Sequence, residues 1–129
     1  MKGIVADTSE WIEYLAGRPA QLFEQALESQ AIVVPPIVVA ELTSGARSKN
    51  DRMALEDLLM DLPLHDAGFM HWARVGELRR SLREHGLSVS AADAHVAQCA
   101  LDREAPLLTR DAVFWKIATH VKLRLAAIV

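Results

Sequence analysis

Short runs of apolar residues recur along the chain, each ending at an acid, a proline or a turn and each followed by helical spacing. Ile4-Val5-Ala6 stops at Asp7, Ala31-Ile32-Val33-Val34 stops at Pro35-Pro36, and Pro106-Leu107-Leu108-Thr109 gives way to Arg110-Asp111. None of these runs alternates apolar with polar residues, so strands built from them are buried on both faces. A sheet covered on both faces by the helices that join its strands is mostly parallel. The expected fold class is therefore α/β, with three layers, α/β/α.

The helical stretches fall between the runs. Thr8 to Ala16 places Trp11, Ile12 and Leu15 on one face and ends at Gly17. Pro19 suits the first turn of a second helix, with Leu22, Phe23, Ala26 and Leu27 apolar. Helical spacing resumes over Val38 to Ala46, Asp51 to Asp61, Ala67 to His85, Ser90 to Arg103 and Val113 to Ala118. Leu62-Pro63-Leu64 reads as a weak edge strand, since Pro63 cannot donate to a ladder. Leu123 to Val129 reads as a last strand. The 129 residues suffice for one core and contain no repeat or linker, so one domain spanning 1–129 is expected.

Composition narrows the function. Half the residues are hydrophobic (51%) and 24% are charged, a globular balance. The net charge of −3 argues against a protein that coats nucleic acid with a broad positive surface. It leaves room for a carboxylate site that binds cations. No apolar run approaches the roughly 20 residues of a membrane span. The start of the chain lacks a signal-peptide pattern, and the lone Cys99 has no disulfide partner within it. Both point to the cytoplasm.

Ligands of open parallel sheets bind beyond the carboxyl ends of the strands, where the strand order switches. Asp7 and Asp111 follow strands at that end, Asp93 lies in the opening turn of a helix, and Glu41 lies in the helix after the second strand. Four such acids converging on one rim would repel one another unless a cation joined them. An all-oxygen set suits Mg²⁺ or Mn²⁺ rather than zinc, and such an ion supports phosphodiester hydrolysis. Each acid also has a plainer reading. Asp7 with Glu10, and Ser90 with Asp93, have capping spacing, and Asp111 suits a helix N-terminus. Glu41 has the plainer reading of an ordinary helix-surface acid, but its neighbours in "IVVAELTSGA" are apolar or small.

The four segments together resemble the PIN-domain ribonucleases, specifically the VapC-type toxins of toxin–antitoxin pairs. "IVADTSEWI", "PPIVVAELTSGA", "LSVSAADAHVAQCAL" and "APLLTRDAVFWKIA" are similar to the family's four motifs in order, over nearly the whole chain. The resemblance implies a five-stranded parallel sheet and a metal-dependent endoribonuclease. It makes Asp7, Glu41, Asp93 and Asp111 the catalytic, metal-binding carboxylates and Ser9 and Thr109 their supports. It also implies an RNA substrate, a cognate antitoxin and a homodimer. Val113 stands where the family often has a further acid, and His95 where an aliphatic residue is more usual. Two other readings stay open: an RNA-processing nuclease without an antitoxin, and a non-catalytic module that binds a protein partner.

Other residues carry weaker signals. Arg110, beside Asp111, is a candidate phosphate contact. Arg79, Arg80 and Arg83 read as a solvated face paired with Glu77 and Glu84 rather than an RNA track. Trp11, Trp72 and Trp115 are candidates for base stacking, with packing the plainer role. Cys99 among alanines reads as core, and His95 as a partly buried polar residue. His65, His71, His85 and His120 show no metal-ligand spacing.

Overall fold

A computed structural model describes residues 3–126. The chain runs β1 (Ile4–Ala6), α1 (Thr8–Leu15), α2 (Gln21–Glu28), β2 (Ile32–Val33), α3 (Pro36–Ser44), α4 (Lys49–Met60), α5 (Phe69–Glu84), α6 (Ala91–Arg103), β3 (Leu107–Leu108) and α7 (Ala112–Ala118). The strands pair in parallel in the order β2-β1-β3. Ile4 faces Ile32, and Ala6 faces Leu108. All strand residues are buried, as their unbroken apolar runs require.

The expected five strands are three among the described residues. The flanking segments reach the sheet by single parallel bridges, Val34 to Leu64 and Leu107 to Leu125. On one edge the Val34 amide donates to the Pro63 carbonyl at 2.8 Å and the His65 amide to the Val34 carbonyl at 3.0 Å. Pro63 has no amide to extend this ladder, so the edge stops at one bridge. On the other edge the Leu107 amide donates to the Arg124 carbonyl at 2.9 Å, and the Ala126 amide returns to Leu107 at 2.8 Å. The expected last strand continues to Val129, and its final three residues lie outside the described ones.

Helix ends follow from local chemistry. Pro36 does not stop the chain after β2 but starts α3 at its first turn, where a missing amide costs nothing. Ser48 and Ser90 cap α4 and α6 by accepting from the amides of Asp51 and Asp93 at 3.0 and 3.1 Å. Gly3 opens β1 at φ +89°, and a Cβ there would stand 2.7 Å from the Ala31 carbonyl oxygen. One cluster of buried apolar side chains joins the strands to Trp11, Phe23, Val38, Leu82 and Phe114. The chain leaves β1 for β2 on one side and later returns to β3 on the other. The order therefore switches between β1 and β3, and their carboxyl ends open the crevice where an α/β sheet binds ligands.

Candidate active site

Asp7 is the first residue past β1, and its amide donates to the Leu108 carbonyl of β3 at 3.2 Å. Its backbone occupies the N-cap of α1, but its side chain caps no helix amide. Instead Ser9 Oγ donates to Asp7 Oδ1 at 2.6 Å and Thr109 Oγ1 donates to Asp7 Oδ2 at 2.7 Å. Each support is itself fixed. Ser9 Oγ accepts from the Arg110 amide at 3.0 Å, and Thr109 Oγ1 accepts from the Asp111 amide at 3.0 Å. A carboxylate buried at the switch point and held by two hydroxyls is aimed, not merely accommodated.

Electrostatics place the other acids around it. Burial raises the Asp7 pKa above the usual carboxylate value, and the charge of Asp111 adds to the rise. Burial likewise raises Asp93, with further contributions from Asp111 and Glu41. Asp111 is thus close enough to be felt by both Asp7 and Asp93, and Glu41 by Asp93, although the chain delivers the four acids from the end of β1, α3, α6 and the end of β3. Glu41 Oε1 accepts from Thr8 Oγ1 at 2.7 Å, which ties α3 to the start of α1. Asp111 keeps the capping role foreseen for it, with Oδ1 accepting from the Val113 amide at 3.1 Å. Among the described residues no hydrogen bond joins one of these carboxylates to another. The donors are all hard oxygens, and the charge of Asp111 bears on both Asp7 and Asp93. That set fits a partly hydrated Mg²⁺ or Mn²⁺, which retains several waters and needs only one or two direct carboxylates.

Arg110 is held. Its Nε donates to both carboxylate oxygens of Glu10, at 3.3 and 3.2 Å. Glu10 is completely buried, and burial raises its pKa against the opposing pull of Arg110. Sequence spacing suggests only a capping partner for Asp7 in Glu10. The signal for this second role is its place one helical turn after Asp7, on the inner face of α1 beside Trp11. Other expectations resolve plainly. Trp11 is buried against Phe23 and Tyr14, so it packs the core and stacks on nothing outside. Arg80 pairs with Glu77 and Glu84 on an exposed face. His95, expected to be partly buried, is fully buried and bonded to His71.

The sequence model of the PIN domain matches residues 4–119. No curated protein matches the chain. Among solved structures it is similar to the DNA-bound VapBC complex of Salmonella typhimurium, with a TM-score of 0.81, 22% identity and 98% of each chain covered. It is also similar to VapBC2 of Rickettsia felis bound to a promoter DNA fragment, with a TM-score of 0.77 and 25% identity over 95% of this chain and 96% of that one. A third, VapBC-5 of Mycobacterium tuberculosis, superposes with a TM-score of 0.69 at 20% identity, over 99% of this chain and 100% of that one. Among the described residues no helix is long and apolar enough to cross a membrane.

Proposed function

The chain belongs to the PIN-domain family, and on that footing we propose that it is a metal-dependent endoribonuclease, the toxin of a VapBC-type toxin–antitoxin pair. The observation that carries this reading is the gathering of Asp7, Glu41, Asp93 and Asp111 at the switch point, with Asp7 and Asp93 raised by burial and by like charge. In this reading the four carboxylates hold Mg²⁺ or Mn²⁺. That ion, when bound, activates a water and neutralises charge as a phosphodiester in RNA is hydrolysed to a 5′-phosphate and a 3′-hydroxyl. The protein's own part is to orient. Ser9 and Thr109 fix both oxygens of Asp7, Thr8 fixes Glu41, and the helices around the rim limit which RNA enters. Arg110 holds Glu10 through Nε, and its remaining guanidinium N–H groups are what it offers a phosphate.

The antitoxin is the proposed protein partner, as in the VapBC complexes. An apolar groove between α1, α3 and α4, lined by Ile12, Leu15, Leu42, Leu55 and Leu58, is its proposed seat. The groove runs along the two helices that carry Thr8 and Glu41, so an occupant there adjoins the rim. A second copy of the chain is proposed as a further partner, and the cytoplasm as the place of action.

The test is cleavage of a mixed structured RNA by the purified protein with Mg²⁺, Mn²⁺ or EDTA, beside Asp7→Asn. Cleavage that needs the ion, leaves 5′-phosphates and falls by about a thousandfold in the variant supports the reading; removing a catalytic ligand is worth at least as much as removing one oxyanion-hole donor. Equal cleavage by the variant, or cleavage that persists in EDTA, overturns it.

A further inference from the structure

Away from the rim, α5, α6 and the segment between Leu64 and α5 converge on a second group of side chains that the nuclease reading does not use. His65, His71 and Cys99 are buried and present donor atoms all within 4.8 Å of one another. Asp102 Oδ2 lies 2.8 Å from His71 Nδ1 and 3.6 Å from His65 Nε2, and those two nitrogens are 3.3 Å apart. A tetrahedral ion with bonds of about 2.05 Å spaces its ligands about 3.3 Å apart. The triangle brackets that spacing.

Protons alone leave one side of this triangle without a hydrogen bond, since Asp102 Oδ2 lies 3.6 Å from His65 Nε2. Arg103 Nε donates to His65 Nδ1 at 3.2 Å, which puts the hydrogen of a neutral His65 on Nε2. If His71 Nδ1 accepts that hydrogen, it meets the Asp102 carboxylate at 2.8 Å with none of its own. If His71 Nδ1 donates to Asp102, it faces the His65 N–H at 3.3 Å donor to donor. Asp102 is already supplied, with Arg74 donating to both its oxygens and Gln98 to Oδ1. Burial alone would raise its pKa, but those bonds and His71 hold it well below the usual carboxylate range. It is therefore a standing anion beside two imidazoles.

We propose that His65 Nε2, His71 Nδ1 and Asp102 Oδ2, with Cys99 as fourth ligand, form a second metal site for a borderline-soft divalent transition ion, zinc by chemical class. One imidazole pair, one carboxylate and one thiolate are zinc ligands, whereas the all-oxygen rim is not a zinc set. Ligation through His71 Nδ1 leaves its Nε2–H to donate to His95 Nδ1, 2.7 Å away. His95 Nε2, which otherwise accepts from the Ile37 amide at 3.5 Å, then carries the hydrogen and turns it toward Cys99 Sγ at 3.9 Å, the contact a ligated thiolate accepts. Trp72 stacks on His95 with ring centroids 4.5 Å apart and planes within 9°, holding that imidazole in place. Binding displaces two contacts: with Nε2 on the ion, His65 Nδ1 carries the hydrogen and Arg103 must release it, and the Ile37 amide loses His95 Nε2 as acceptor. The ion would pin the edge of the sheet, through His65, to α5 and α6.

The test is a Co²⁺ titration of the chelator-treated full chain followed by optical absorption, with Zn²⁺ as competitor. The wild type is expected to bind one equivalent with intense tetrahedral bands and a thiolate-to-cobalt band, and Zn²⁺ to displace it. His71→Ala weakens binding by at least ~10-fold, a loss no smaller than that from disturbing a ligand's outer partner. Cys99→Ser removes the thiolate band, Arg103→Ala tightens binding, and Asp93→Asn leaves the spectrum unchanged. No binding by the wild type overturns the site. So does equal binding by His71→Ala, or by His65→Asn if the first variant does not fold. Loss of the spectrum in Asp93→Asn also overturns it, because the ion would then sit at the rim. The readout is metal binding, so the result stands apart from whether the rim cuts RNA.

Discussion

At the scale of single residues, the account turns on how a carboxylate behaves when burial and like charges oppose its ionisation. Asp7 has a folded pKa raised above its unfolded value, so the folded state binds its proton more tightly. Its contribution to stability falls as pH rises from the unfolded value through the raised one. In EDTA, therefore, the melting temperature of the wild type should drop over that window relative to Asp7→Asn, and Mg²⁺ should cancel the difference. Parallel melting curves for the two proteins across that window would contradict it. Glu10 makes the complementary case. It is buried with Arg110 as its partner, and removing one member of such a pair leaves a buried charge. Arg110→Ala should cost about 1–3 kcal/mol at pH 7, below the fully buried range because the guanidinium is partly solvated. The cost should shrink as pH falls and Glu10 takes a proton, and urea titration at pH 7 and at a lower pH measures it. Asp7 and Asp111 could be singled out in the sequence because a strand end is a local signal. The hold of Ser9 and Thr109 on Asp7 was legible only as family likeness. Thr109 lies 102 positions from Asp7, and no local pattern joins them.

At the scale of elements, periodicity served where the element had to bury a face and failed where a single bridge decided the outcome. The helices lie within a few residues of their expected bounds because their apolar stripes must meet the sheet. The two outer segments read as strands by composition, yet each makes one bridge, and Pro63 makes the reason plain on one edge. The histidine cluster was invisible as spacing because it is assembled across α5 and α6. The usable trace was on α6 alone, where His95, Cys99 and Asp102 fall at i, i+4 and i+7, one face of a helix. His95 carries an element-level prediction. Burial, then the nearby His71 and His65, lower its pKa to about 4, so its contribution to stability is complete above the unfolded value near 6.5 and is lost as pH falls toward about 4. Replacing it with leucine should flatten the fall in the urea midpoint between pH 6.5 and 4, and an unchanged slope would count against the assignment. At the start of β1, Gly3→Ala combines a positive φ with a 2.7 Å approach to the Ala31 carbonyl oxygen. It should cost more than about 1 kcal/mol in the same assay.

At the scale of the whole molecule, the surface is not evenly polar. Met60 and Phe69 are 81% and 83% exposed, and Leu64 and Met70 lie exposed between and beside them in sequence. Large apolar side chains exposed over residues 60–70 are candidates for covering by a partner. If that molecule is a second copy of the chain, sedimentation should give a dimer and Phe69→Glu should shift it toward monomer. A wild-type monomer at all concentrations would leave the proposed homodimer without support. The α/β fold class could be argued from the chain because unbroken apolar strands imply a parallel sheet covered by helices, and the four acids could be put forward as candidates. Partners could not, because exposed faces carry no periodicity of their own. The rim, and not the histidine cluster, is the proposed hard-cation site. Its most direct test is Mn²⁺ binding followed by electron paramagnetic resonance on the wild type, Asp93→Asn and His71→Ala. The account predicts that Asp93→Asn weakens Mn²⁺ binding by about tenfold or more, the effect of about 1.4 kcal/mol of lost ligand energy, while His71→Ala leaves it unchanged. Equal binding by the wild type and Asp93→Asn would contradict it and leave the rim without a metal.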